Sequence, residues 1–168
     1  MKLKNHKIKI PNNAKMRKSI LIILVCLFLS SCGNSAPENF QIKSGFIFEP
    51  GIYHIFQPKF KSRNIILKEF KDGSKIFAIT DSMNKILFQQ SINQTFSKYH
   101  YWRLFVDENA NVWFYNSDYS SAKAIILNEK TKLYEMKDFC AEKLNLPIEF
   151  RKELDSKNTL NNCKSMKK

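Results

Sequence analysis

Tyr101-Trp102-Arg103-Leu104-Phe105-Val106-Asp107-Glu108-Asn109-Ala110-Asn111-Val112-Trp113-Phe114-Tyr115 is the stretch on which the fold turns. Two runs of aromatic and branched residues flank five small or polar ones, the pattern of a β-hairpin. Alternation sends Tyr101, Arg103 and Phe105 to one face and Trp102, Leu104 and Val106 to the other. Neither face is wholly polar. Such a pair is either central in a sheet or offers one face to a ligand.

The same signals recur on both sides of it. Upstream, Ile65–Phe70 and Ile76–Thr80 flank Asp72-Gly73, and Asp-Gly between apolar runs is a strong hairpin signal. Phe46–Phe48 and Ile52–Phe56 flank the turn Glu49-Pro50-Gly51, and Ile86–Phe88 follows another turn. Lys59 to Arg63 reads as a basic connector. Ser91 to Tyr99 reads as a loop or short helix, since Ile92, Phe96 and Tyr99 share a helical face but Asn, Thr and Ser disfavour a helix interior. Downstream, Ala124–Leu127 and Lys132–Met136 form two more strands about a polar turn.

The pattern then changes. Asp138 can cap a helix over Phe139 to Leu144, and Pro147 suits the first position of a second, Pro147 to Leu154. The expectation is an α+β domain over residues 41–155. It is an antiparallel meander of about seven strands, as a sheet or small barrel, with two short C-terminal helices. A polar, basic tail follows over 156–168. Residues 32–40, with Asn34-Ser35-Ala36-Pro37-Glu38-Asn39, read as a short flexible tether.

Ahead of the tether stands Arg17-Lys18-Ser19, then ten apolar residues from Ile20 to Leu29, then Ser30-Ser31-Cys32-Gly33. A spanning helix needs about 20 apolar residues. The shorter run, apolar on every face and led by cations, fits a signal peptide over residues 1–31. Met16 is a natural start for it, which leaves Met1 to Lys15 without a role. Leu29-Ser30-Ser31-Cys32 resembles the lipobox of bacterial lipoproteins. The resemblance implies diacylglycerol on the Cys32 thiol, cleavage just before Cys32, and a mature chain that starts there. Two or three acyl chains, each adding about 0.8 kcal/mol per buried CH₂, anchor stably. Gly33, where many inner-membrane lipoproteins carry Asp, favours the outer membrane, with the domain facing the periplasm.

Removing that leader changes the charge and cysteine arguments. Residues 1–31 hold seven of the 28 cations and none of the 15 acids, so the remainder carries +6 rather than +13. That thin surplus excludes the concentrated basic face of a nucleic-acid binder. It leaves Cys140 and Cys163 as an even pair in an oxidising compartment, where a disulfide is expected.

Catalytic and metal chemistry find little purchase. Asp107 to Asn111, with Asp118 at the twelfth position, echoes a calcium loop but has Val112 where Gly is required, so it reads as a hairpin turn. His54 and His100 have no second ligand at a useful spacing and read as packing residues. Glu149 and Glu153, interspersed with Arg151 and Lys152, read as a solvated helix face. No cofactor, metal or catalytic constellation is proposed. The aromatic concentration carries the functional expectation: Tyr101, Trp102, Arg103, Trp113 and Tyr115 are residue types that dominate protein interfaces, unless they fill the core. The expectation is a lipid-anchored, non-catalytic envelope protein that binds an envelope protein partner, one specific version being that the chain is itself an immunity- or inhibitor-type protein. Glycan or peptidoglycan binding and a hydrolase without a recognisable motif are the alternatives.

Overall fold

The computed structural model describes residues 37–55, 62–128, 130–131 and 133–165. The leader, Cys32, most of the tether, Phe56 and most of the Lys59–Arg63 connector lie outside these residues.

The described residues form ten strands rather than about seven, in two five-stranded sheets that do not close into a barrel. The first sheet has the order β1 (Asn39–Ile42), β3 (Gly51–Ile55), β4 (Arg63–Glu69), β5 (Lys75–Asp81), β6 (Ile86–Gln89). The second has the order β10 (Tyr134–Asp138), β9 (Ser121–Leu127), β8 (Val112–Asn116), β7 (Trp102–Val106), β2 (Gly45–Phe46). All pairings are antiparallel but one: β1 lies parallel to β3, because β2 crosses to the other sheet between them. The sheet therefore begins at Asn39, inside the stretch read as tether. That strand carries only Phe40 and Ile42 as apolar signal, too little to stand out before its partner is known.

The local chemistry of the turns explains the register. Gly73 adopts φ +80 in the β4–β5 connection, closed by Phe70 N–H to Ser74 O at 2.8 Å. In the β7–β8 hairpin the Asp107 carboxylate accepts from the N–H groups of Asn109 and Asn111, both at 2.9 Å, while Ala110 turns through φ 59. An Asx-type bond of this kind makes the turn without glycine. Ser91 to Tyr99 holds a single 3₁₀ turn, Ile92–Gln94, capped by the Ser91 hydroxyl. Phe96 then plunges into the core and bridges Lys75.

Two cores share the second sheet. Ile65, Leu67, Phe77 and Ile79 from the first sheet meet Leu104, Val106, Val112, Phe114 and Ile125 from the second. On the opposite face of the second sheet, Phe105, Trp113, Tyr115, Ala122 and Ala124 are covered by the C-terminal segment through Phe139, Phe150 and Leu154. Ala122 and Ala124 are small where the Phe139 and Phe150 rings need room.

Of the two expected C-terminal helices only the second forms, as α1 (Ile148–Ser156). Phe139 to Leu144 is a single turn instead. Asp138 does cap it, accepting from Cys140 N–H at 3.0 Å and Ala141 N–H at 2.8 Å. Lys143 then enters the left-handed region at φ 53 and ends it. Pro147 keeps the preceding residue extended, so the turn cannot run on into α1. The segment read as tail contains a further six-residue helical stretch, α2 (Leu160–Ser165), after Thr159 closes the end of α1 with its hydroxyl on Leu154 O. Cys140 and Cys163 are joined, with their Cα atoms 4.9 Å apart.

Candidate functional site

The hairpin that dominates the sequence is central, and the structure divides its aromatic residues between three places. Trp113 and Tyr115 are 5% and 3% exposed, beneath the C-terminal segment. They belong to the second core, so neither offers a surface to a partner. Trp113 donates its indole N–H to Asp107 Oδ2 at 2.9 Å and lies against Phe139 and Phe150. Trp102, on the other face, stacks on buried Phe96 at 4.6 Å with the planes 1° apart. Tyr101 and Arg103 are half-buried on the α1 side.

What emerges is a ridge ordered from the core outward. Phe77 contacts Phe96, Phe96 stacks on Trp102, Trp102 meets Phe48 at 6.2 Å, and Phe48 carries the Arg103 guanidinium at 5.3 Å. The same guanidinium lies 4.2 Å from the Tyr101 ring centroid. Arg103 is therefore held between two rings, a geometry that suits its planar, weakly hydrated cation.

Glu153 completes the arrangement. Arg103 Nε and Nη2 donate to Glu153 Oε1 at 2.7 and 2.6 Å, and the Tyr101 hydroxyl donates to the same oxygen at 3.2 Å. Arg103 Nη1 donates to the Trp102 carbonyl at 2.7 Å. Glu153 is thus the anchor of the ridge rather than part of a solvated helix face. Its sequence neighbours Arg151 and Lys152 concealed this, because spacing along a helix does not show which turn meets the sheet. Burial pushes the Tyr101 hydroxyl up to about 12, with Arg103 opposing and Glu153 adding to the rise.

The remaining sequence candidates are structural or dispersed. His54 is exposed on β3 and spans Asn64 Oδ1 at 2.7 Å and Asn39 Oδ1 at 3.2 Å. His100 Nδ1 lies 3.5 Å from Asp118 Oδ2. The residues that echoed a calcium loop do not converge. Asp107 is saturated by turn N–H groups, Trp113 and Asn111, while Asp118 sits beside His100 at the other end of β8. Among the described residues no three His, Cys, Asp or Glu side chains are placed to hold a metal ion. Lys123 and Asp138, cross-strand partners on β9 and β10, pair at 2.9 Å. Burial raises the Asp138 carboxyl, but the Ala141 N–H, the Lys123 ammonium and the Cys140 N–H outweigh it and hold the group below its ordinary value.

Fold and site together define a small, disulfide-bonded, two-sheet domain with one half-exposed aromatic–arginine ridge. No family model, curated protein or solved structure matches the chain.

Proposed function

We propose that this chain is a lipid-anchored bacterial envelope protein whose domain binds an envelope protein partner without transforming it. The lipobox-like Leu29-Ser30-Ser31-Cys32 supports the anchor. The Cys140–Cys163 disulfide is in keeping with an oxidising compartment outside the cytoplasm. The observation that carries the binding reading is the ridge of Phe48, Trp102, Arg103 and Tyr101. Its rings and guanidinium are locked by Phe96 and Glu153, yet remain partly open. Locked aromatic and Arg side chains lose little entropy on docking, which is what makes them interface anchors.

Crosslinking in intact cells, followed by mass spectrometry, tests the reading. The wild-type chain should capture one envelope protein, and Trp102→Ala should lose it while keeping the β-sheet circular dichroism and a cooperative urea transition, at a lower midpoint because the ring also packs on buried Phe96. Capture unchanged by Trp102→Ala and by Arg103→Ala would refute the ridge as the contact. Sedimentation with purified peptidoglycan in place of protein capture would favour the glycan reading, in which rings stack on sugars. Cys32→Ala should leave an unprocessed precursor, and normal processing of that variant would remove the anchor.

A further inference from the structure

The position at which the tether joins the domain coincides with a cluster of exposed apolar side chains. β1 starts at Asn39 and runs parallel to β3, with Ile52 N–H on Glu38 O at 2.8 Å. The chain therefore enters beside the start of β3. In antiparallel order this is also the end of β4, the start of β5 and the end of β6. The second sheet presents the start of β7 and the end of β8 there, tied across by Phe96 on Trp102 and by Asn116 Nδ2 on Thr95 O at 3.1 Å.

Phe48 immediately precedes this end of the first sheet, Phe70 and Ile92 follow it, and Tyr99 and Tyr119 flank the matching end of the second. They are 43%, 40%, 65%, 82% and 46% exposed. Among the described residues, all four exposed aromatic side chains are in this group. The exposed apolar residues elsewhere, such as Met83, Leu133 and Ile148, are aliphatic and dispersed. Phe70 and Ile92 also line one shallow cleft together with Lys71 and Thr95.

We infer that this end of the domain lies on the bilayer and inserts its aromatic and Ile side chains into the headgroup region. The inference rests on the anchor proposed above. From a lipidated Cys32 to Asn39 is seven residues, which span at most about 25 Å when extended. Tyr and other amphipathic rings partition to the membrane interface, and a domain tethered this closely meets that interface at high effective concentration. Charge is not the driving term. Lys71, Lys75 and Lys98 are matched at the same end by Asp72, Glu69 and Glu49, with Lys75 and Glu69 paired at 3.0 Å. Contact should thus be as strong on zwitterionic as on anionic lipid, and little changed by salt. Phe48 is shared with the ridge, whose Arg103 and Tyr101 side chains are tied to Glu153 on the α1 side of the second sheet.

The test uses the full lipidated chain in vesicles of brominated phosphatidylcholine, with Tyr99→Trp compared against Leu133→Trp at the opposite end. Quenching of the added fluorescence in Tyr99→Trp alone, unaltered by about 20% anionic lipid or by about 0.5 M salt, which shortens the Debye length to roughly 3–5 Å, is the expected result. Equal quenching at both positions, or at neither while the chain remains in the vesicle fraction, overturns the docking and leaves the anchor intact. Shielding of Tyr99→Trp only in native membranes assigns this end to a protein and likewise overturns it. Failure of the chain to fractionate with membranes overturns the anchor itself.

Discussion

Arg103 on β7 and Glu153 on α1, fifty residues apart in the chain, meet with Nη2 2.6 Å and Nε 2.7 Å from one carboxylate oxygen. This pair fastens the helix to the sheet at the edge of the second core. Both side chains are partly open, at 22% and 30%, so solvent screening reduces what the pair contributes. A value of about 1 kcal/mol is expected. Urea denaturation of Glu153→Gln, Arg103→Met and the double variant should give that coupling from the double-mutant cycle. Strict additivity of the two single effects would show that the pair is geometric only.

The disulfide should matter more. It links positions 23 residues apart, holding α2 and the Phe139 turn to one another. In the chain-entropy model such a loop adds about 3 kcal/mol. Cys140→Ser with Cys163→Ser should therefore lower the unfolding free energy by that amount without altering the β-sheet circular dichroism. A loss below about 0.5 kcal/mol would mean that the unbridged chain is already restrained by other contacts.

Phe150 is the residue through which the C-terminal segment is joined to the second sheet. It is 0% exposed and contacts Phe46, Phe105, Trp113 and Phe139. Phe150→Ala should cost about 3–5 kcal/mol and red-shift the Trp113 emission as water reaches the indole. Ile148→Ala, two residues away on the other side of α1 and 73% exposed, should change neither. Similar losses for both variants would contradict the packing described.

Alkaline pH should loosen the domain in a defined window. Burial, first of all, raises both the Tyr101 and the Tyr134 hydroxyls to about 12, against Arg103 in one case and Arg63 in the other. Since both values lie above the unfolded value of about 10, the associated stability is complete below pH 10 and lost as pH rises towards 12. Urea midpoints should be flat between pH 8 and about 9.5 and fall beyond it. Tyr101→Phe should flatten part of that decline, and an unchanged decline in both Tyr101→Phe and Tyr134→Phe would point to other groups.

Much of the fold was legible before any contact was known. Asp72-Gly73 and Asp107 to Asn111 are turns whose chemistry is local, so the hairpins they close follow from the residues themselves. Pro147 marks the start of α1 for the same reason. The helix expected over Phe139 to Leu144 did not follow, because the cap at Asp138 is also local but the stop at Lys143 depends on where the chain must go next. The candidate site was half legible. The concentration of rings was visible, whereas the burial of Trp113 and Tyr115 was not.

By itself, then, the sequence determined the β4–β5, β7–β8 and β9–β10 pairings, the α+β character, the position of α1 and the pairing of Cys140 with Cys163. Phe46–Phe48 and Ile52–Phe56, read as strands about the Glu49-Pro50-Gly51 turn, instead went to different sheets, β2 joining β7 and β3 joining β1 and β4. The features it did determine rest on turn residues, alternation and cysteine number. Only the tertiary structure decided that strands from the two ends of the chain divide into two sheets, and that the second is covered on both faces. It alone brought Glu153 to Arg103 and gathered Phe70, Ile92 and Tyr99 at the end where the tether enters. The reason is physical: strand alternation specifies two faces, but which neighbour covers each is settled by packing between residues far apart in the chain.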